Sequence, residues 1–86
     1  MVTPLFEIIC NIYGGSPYEG TTKTVAVCST KKKAIARLKE VVSAPPLVAV
    51  IKAEYNEARE TTYIENRYGY KAEYRIEEIL LDEWID

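Results

Sequence analysis

The chain has 86 residues, of which 48% are apolar and 28% are charged, so we expect one folded domain over residues 1–86. No apolar run approaches the ~20 residues of a membrane span, and no basic segment precedes an apolar one at the start, so we expect a cytoplasmic protein. The formal net charge of −2 disfavours a general nucleic-acid-binding protein, because such proteins usually carry a basic surplus.

Charge is divided unevenly along the chain. Residues 1–52 hold seven Lys or Arg and three Glu, whereas residues 53–86 hold four Lys or Arg and ten Asp or Glu. The first part is therefore basic and the second part acidic. This division permits electrostatic contact within the fold or between two copies of the chain.

Two strands are predicted early in the chain, separated by a loop. In the first strand, successive side chains alternate between two faces with a period of two. One face carries Phe6, Ile8, Cys10 and Ile12, and the other carries Glu7, Ile9, Asn11 and Tyr13. Residues 14–22 are dense in Gly, Ser, Pro and Thr, which predicts an exposed loop, and the second strand is predicted at 23–28. Tyr18 and Glu19, at the tip of this loop, are candidate partner-contact residues.

A helix is predicted over residues 31–43, after Ser29 and Thr30, which offer an N-cap. Its apolar residues recur at helical spacing, and they are Ala34, Ile35, Leu38, Val41 and Val42. We expect Ile35, Leu38 and Val42 to be buried against the sheet. Their predicted contacts there are Phe6, Ile8, Val25, Val27 and Ile76.

The segment that follows this helix fits two structures. Apolar residues at helical spacing, a proline at position 45 or 46 for the first turn, and good helix formers at 52–54 and 57–60 favour a second helix at about 46–60. The apolar run at 47–51 is also typical of a buried strand. We prefer the helix and keep the strand as the alternative.

The last part of the chain predicts a hairpin, with a strand at 61–65, a turn at 66–69 and a long central strand at 70–81. The alternation in the last strand puts Tyr68, Tyr70, Ala72, Tyr74 and Ile76 on one side and Lys71, Glu73, Arg75 and Glu77 on the other. The predicted order is ββααββ. It indicates an α+β fold with two layers, in which one or two helices pack on one face of a twisted antiparallel sheet.

Four short pieces of this chain, at 12–15, 25–34, 74–78 and 81–83, form a pattern that covers about half of the chain. They supply the end of a strand with a Gly-containing loop, a second strand with a Ser-Thr helix start, and a last strand closing on Leu-Asp-Glu. In this order the chain resembles a group of small single-domain phage and bacterial proteins of unknown function, although the segment 44–66 is longer here. The resemblance implies the fold and carries no assigned chemistry.

Catalysis and metal binding are poorly supported by the composition. The chain has no histidine, which removes the commonest general base and the commonest activator of Ser and Cys nucleophiles. Ser29 with a nearby lysine is the remaining catalytic pair, and lysines after a cap serine are usually solvated. Cys10 and Cys28 cannot complete a zinc site by themselves; we expect two reduced thiols, with a cross-strand disulfide as the alternative. We therefore expect no enzyme and no cofactor.

The start of the predicted helix is unusually basic. Lys31, Lys32 and Lys33 occupy the first turn, where the helix dipole favours acidic residues instead. Together with Ser29 and Thr30 they suggest a site for a small anion or nucleotide. The alternative is a solvated basic face that balances the acidic end of the chain.

Seven tyrosines are many for this length, and four fall in the predicted hairpin. Tyr68 and Tyr70, with Arg67, are candidate partner-binding residues, because Tyr and Arg are enriched at protein interfaces. Packing in the core is the alternative role for these tyrosines, and stacking of single-stranded nucleic acid is a weaker one. The sequence favours a non-enzymatic protein-interaction module that binds a host protein or a second copy as a homodimer, such as a phage-encoded inhibitor or accessory factor. An anion- or nucleotide-binding module is the alternative function.

Overall fold

The computed structural model describes residues 3–14 and 20–80, in which five antiparallel strands and one helix form an α+β fold. The elements are β1 (Pro4–Tyr13), β2 (Thr21–Cys28), α1 (Lys31–Ser43), β3 (Val50–Asn56), β4 (Thr61–Asn66) and β5 (Lys71–Leu80). The strands lie side by side in the order β2-β1-β5-β4-β3. The predicted two-layer fold is confirmed, with one helix on one face of the sheet.

The pairing of β1 with β5 forms the centre of the sheet. Its register is unbroken from Pro4 opposite Leu80 to Tyr13 opposite Lys71. As the alternation of β5 predicts, Ala72 is buried beneath the helix, since successive side chains of a strand point to opposite faces. The last strand is therefore long and central, as expected.

The helix α1 packs against the sheet through a narrow apolar stripe. Ala34 and Leu38, one turn apart, are both 0% exposed, and they join a core cluster whose sheet members are Ile8, Cys10, Ile64, Ala72 and Tyr74. Thr62, also buried, donates a hydrogen bond of 2.8 Å from its hydroxyl to the backbone carbonyl oxygen of Leu38. The predicted burial of Leu38 is confirmed, whereas Ile35 and Val42 are only half-buried.

The predicted second helix at 46–60 is wrong, because this segment contains strand β3 and the turn that follows it. Ala49 has a φ of 54° and Glu60 also has a φ of 54°, a left-handed conformation that no α-helix contains. Strand β3 pairs with β4 and so satisfies backbone groups that β4 would otherwise leave unpaired. Ala53 and Tyr55, two residues apart, pack against the core cluster. Tertiary pairing thus overrides the helix propensity of the segment.

The expected burial of Val25 and Val27 is also wrong, since they are 43% and 53% exposed. Ile8 lies opposite Ala26, and the register of β1 and β2 shifts by one residue between Ile8 and the next residue of β1. Ala26 therefore takes the place beneath the helix, and Val27 turns to the opposite face. A shift of one residue exchanges the two faces of a strand.

Replacing Leu38 should measure how firmly the helix is held. We expect Leu38→Ala to lower the free energy of unfolding by about 2–5 kcal/mol, because it leaves a cavity in a fully buried site. Urea unfolding followed by circular dichroism measures the loss. Ile35→Ala, a truncation at a half-buried position of the same helix, should cost clearly less, and equal losses would contradict the proposed packing.

The buried hydrogen bond from Thr62 can be tested separately from the packing. Thr62→Val keeps the volume but removes the hydroxyl donor, so the free energy of unfolding should fall by about 0.5–1.5 kcal/mol. Thr62→Ser keeps the donor and loses a methyl group. A valine variant as stable as the wild type would show that this bond contributes nothing.

Candidate functional site

The two predicted sites lie at opposite ends of the sheet. The turn that joins β4 to β5 is at the end where Tyr13 pairs with Lys71. The helix start, after β2, is at the end where Phe6 pairs with Cys28. The predicted partner-binding residues Arg67, Tyr68 and Tyr70 and the predicted anion-binding lysines at 31–33 therefore cannot act on one small ligand together.

The turn between β4 and β5 is built around Asn66, which is 3% exposed. Its side-chain oxygen accepts hydrogen bonds from the backbone N–H groups of Tyr68 and Tyr70, both at 3.0 Å. Gly69 supplies the positive φ of 88° that the turn needs. The end of β1 approaches closely, since a Cβ on Gly14 would collide with the carbonyl oxygen of Gly69. The turn is therefore a preformed, rigid structure.

Large apolar side chains are exposed around this turn. Tyr68 is 62% exposed, and the guanidinium carbon of Arg67 lies 6.0 Å from the centroid of its ring. The N–H of Arg67 donates to the carbonyl oxygen of Ala49 at 3.0 Å, so the chain around the start of β3 lies beside the turn. In that part of the chain Val48 and Ile51 are 73% and 65% exposed. We call Val48, Ile51, Arg67 and Tyr68 the corner patch.

The sequence predicts only part of this surface. Arg67 and Tyr68 were candidate partner-binding residues, and the structure brings them together; Tyr70 is half-buried beside them. Tyr18 and Glu19 lie outside the described residues. Val48 and Ile51 were missed, because the preferred helix gave no reason for them to adjoin the turn. The strand alternative for this segment was a buried strand, so it did not point to these two exposed residues either.

The lysines at the helix start are partly engaged by other groups. The ammonium of Lys31 lies 2.8 Å from a carboxylate oxygen of Glu60, and this hydrogen bond and charge raise the pKa of Lys31. The Thr30 hydroxyl caps the helix by accepting from the N–H of Lys33 at 3.1 Å. The ammonium of Lys33 donates to the Ser29 hydroxyl at 3.3 Å.

The three lysines also do not point to one common place. Lys31 and Lys32 line one shallow depression, whereas Lys33 lines another, with Ser29. The structure therefore brings Lys33 to Ser29 but does not gather the three ammonium groups around one ligand. Ser29 and Lys33 are both exposed, so their contact lies in solvent.

The two cysteines are free thiols on separate parts of the sheet. Cys10 lies opposite Tyr74, and Cys28 lies opposite Phe6. Positions 6 and 10 are four residues apart on β1, or roughly 13 Å of strand, which is beyond the reach of a disulfide. Burial raises the pKa of both Cys10 and Tyr74, whose side chains hydrogen-bond to each other. The pair is part of the core.

The face of the sheet opposite the helix, which we call the open face, carries alternating charges. Across it Tyr63 lies opposite Glu73, and Glu65 lies opposite Lys71. The pairing therefore puts Tyr63 on the charged face, whereas Tyr74, on the other face, is buried. The Tyr63 hydroxyl donates to Glu65 at 2.7 Å, and Lys52 lies 5.5 Å from the Tyr63 ring centroid. This lattice of opposite charges is typical of a solvated sheet face.

Within the described ranges, no group of three or more His, Cys, Asp or Glu side chains is arranged to hold a metal ion. None of the helical sequence in those ranges is long and apolar enough to cross a membrane. Comparison with family models, curated proteins and solved structures finds no match. The function is therefore inferred from the geometry.

The hydrogen bond between Tyr63 and Glu65 predicts a pH effect. It raises the pKa of Tyr63 from 10.0 to about 12. The contribution of this bond to stability should be complete below pH 10. It should disappear as the pH rises towards 12, because the unfolded chain loses the proton first. Titration of ring-labelled tyrosine by NMR measures this pKa.

Glu65→Gln is the matched control for this titration. The amide keeps an acceptor oxygen but carries no charge, so the pKa of Tyr63 should return towards 10.0. A Tyr63 that titrates at its ordinary value in the wild type would contradict the arrangement on the open face.

Proposed function

We propose that the protein is a non-enzymatic protein-interaction module and that the corner patch is its partner-binding surface. The observation that carries the proposal is the grouping of exposed apolar residues. Of the five large apolar side chains exposed among the described residues, Val48, Ile51 and Tyr68 lie in this patch. The hydrogen bond from Arg67 to Ala49 puts the three at one corner of the sheet, and a grouping of exposed apolar residues is typical of an interaction site, whereas single exposed residues are not.

The composition of the patch supports a protein partner. Binding energy at interfaces concentrates in Tyr, Trp and Arg residues, and here Tyr68 and Arg67 stand next to each other, with the guanidinium over the ring. Asn66 holds the turn in one conformation through two hydrogen bonds. A preformed turn loses little conformational entropy on binding, so more of the contact energy appears as affinity.

The partner chemistry follows from these side chains. Tyr68 would enter an apolar pocket, and Arg67 would meet a carboxylate at its edge. Tyr18, Glu19 and Tyr70 are proposed to extend this contact, as the sequence suggests. By the resemblance to phage and bacterial proteins, we place the partner in the cytoplasm of a bacterial host, with the module as an inhibitor or accessory factor.

The anion-binding alternative has less support from the geometry. An anion held by Thr30 and the lysines at 31–33 needs convergent positive charge and free helix N–H groups. Lys31 is paired with Glu60, and the N–H of Lys33 is already capped by Thr30. Binding of single-stranded nucleic acid has less support still, since Tyr63 and Tyr74 lie on opposite faces and Tyr74 is buried.

The test is to measure binding of the purified partner, identified by affinity capture and mass spectrometry from the host. Tyr68→Ala should weaken binding about 30-fold or more, because a central aromatic anchor contributes about 2 kcal/mol or more. Tyr68→Phe keeps the ring and should retain most of the affinity. Binding should change little as salt rises through ~0.1 M.

The lysine variant separates the two candidate functions. Replacement of Lys31, Lys32 and Lys33 together by Ala should leave the affinity for the partner within a few-fold, because these residues lie at the far end of the sheet. Circular dichroism must show that each variant is folded. Saturable binding of a nucleotide or inorganic phosphate that disappears in the triple variant, with Tyr68→Ala unaffected, would favour the anion-binding function instead.

A further inference from the structure

The two edge strands of the sheet differ in how well they are protected from pairing. On the β3 edge a register shift leaves Ile51 as an extra residue, and Lys52 and Glu54 follow it. Charges and bulges on an edge strand discourage pairing with another chain. The β2 edge also contains a register shift, before residue 26, but it carries only one charged residue, Lys23, and its segment 26–28 continues in regular register with β1. This segment presents the exposed Val27 and is the less protected edge.

A groove runs beside β2 on the helix side of the sheet. It has a volume of about 350 Å³, and its apolar lining is Ile8, Val25, Ala26, Val41, Ala44 and Pro46. A neighbouring depression continues along β2 past Val27 and Ser29. Arg37 and Glu40 of α1 contribute to both, so these two residues lie level with the regular segment of β2.

We propose that β2 pairs antiparallel with β2 of a second copy of this chain, around a two-fold axis near Val27. Each copy contributes five strands, so the two sheets would join into one continuous sheet with both helices on the same face. Main-chain hydrogen bonds along the new edge supply affinity, as in other cases of strand addition. The two Val27 side chains meet across the axis.

Charge complementarity argues for a second copy rather than a foreign strand. Arg37 and Glu40 are 62% and 68% exposed, and their charged groups lie 3.9 Å apart. A two-fold axis makes the helices antiparallel, so Arg37 of each copy faces Glu40 of the other. The same surface then serves both subunits, as an isologous interface requires. Lys23 lies outside the segment 26–28, so no like charges oppose each other.

This dimer uses a different edge from the corner patch. The patch lies on the β3 side of the sheet, and β2 is at the opposite side. A dimer through β2 therefore leaves two corner patches exposed, one at each end of the joined sheet. Such a dimer would be bivalent towards a partner that carries repeated sites.

The wild type should sediment as a dimer at about 100 µM, because this protein concentration is well above a dimer dissociation constant in the micromolar range. Val27→Lys should give a monomer, because two lysines would oppose each other across the axis. Within one copy this lysine faces Glu7, so the fold is kept. Ile51→Lys makes the same kind of change at an exposed site on the other edge, and this variant should remain dimeric.

Charge reversal provides a second test that does not depend on β2 itself. Arg37→Glu and Glu40→Arg should each weaken dimerisation about tenfold or more, since each places like charges opposite each other. An equimolar mixture of the two variants should form heterodimers, because the first then presents only acids and the second only bases.

Three results would overturn the proposed dimer. They are a wild type that sediments as a monomer at about 100 µM, a Val27→Lys variant that stays dimeric, and a mixture of the charge variants that does not associate. Partner binding at the corner patch is measured independently, with Tyr68→Ala. Loss of one association without the other therefore shows which of the two proposals has failed.

Discussion

The fold depends on the contact between one short helix and a sheet that is wider than the helix can cover. Ala34 and Leu38 are 0% exposed, and Thr62 adds a buried hydrogen bond to the carbonyl oxygen of Leu38. A helix of 13 residues is about 20 Å long and about 10 Å wide. It therefore covers the middle of one face and leaves the outer sides of the two edge strands and the whole open face uncovered.

What the helix leaves uncovered decides where the protein can act. On the open face, paired opposite charges keep the surface solvated. On the two sides of the sheet, exposed apolar residues remain, at the corner patch beside β3 and along β2. The corner patch is made rigid by Asn66, which is 3% exposed and holds the turn that presents Tyr68. The packing of the core and the positions of the candidate interaction surfaces thus have one origin.

Much of this fold is predictable from local patterns. The period of two in β5 identifies Ala72 as a core residue, and the cap at Thr30 marks the helix start. Segment 46–60 was not predictable, because its residues suit either a helix or a strand, and the need of β4 for a partner decides between them. The one-residue register shift in β2 was equally invisible, and it moves Val27 from the expected core to the surface.

The candidate sites, like the fold, were predictable only where their residues are adjacent in the chain. Arg67 and Tyr68 could be named from composition, because they are adjacent in the chain. Val48 and Ile51 join them only after β3 has paired with β4, a long-range event that no local pattern records. The lysines at the helix start are adjacent in the chain as well, but their side chains diverge, and one of them, Lys31, is paired with Glu60 across the fold.

Native-state hydrogen exchange tests the central contact most directly. If the helix is locked to the sheet, the amides around Leu38 should exchange only on global unfolding, at the same free energy as the amides of β1 and β5. Added urea should reduce the protection of these three segments together. Amides around Leu38 that exchange at a much lower free energy than those of β5 would contradict the account, because the helix would then open independently of the sheet.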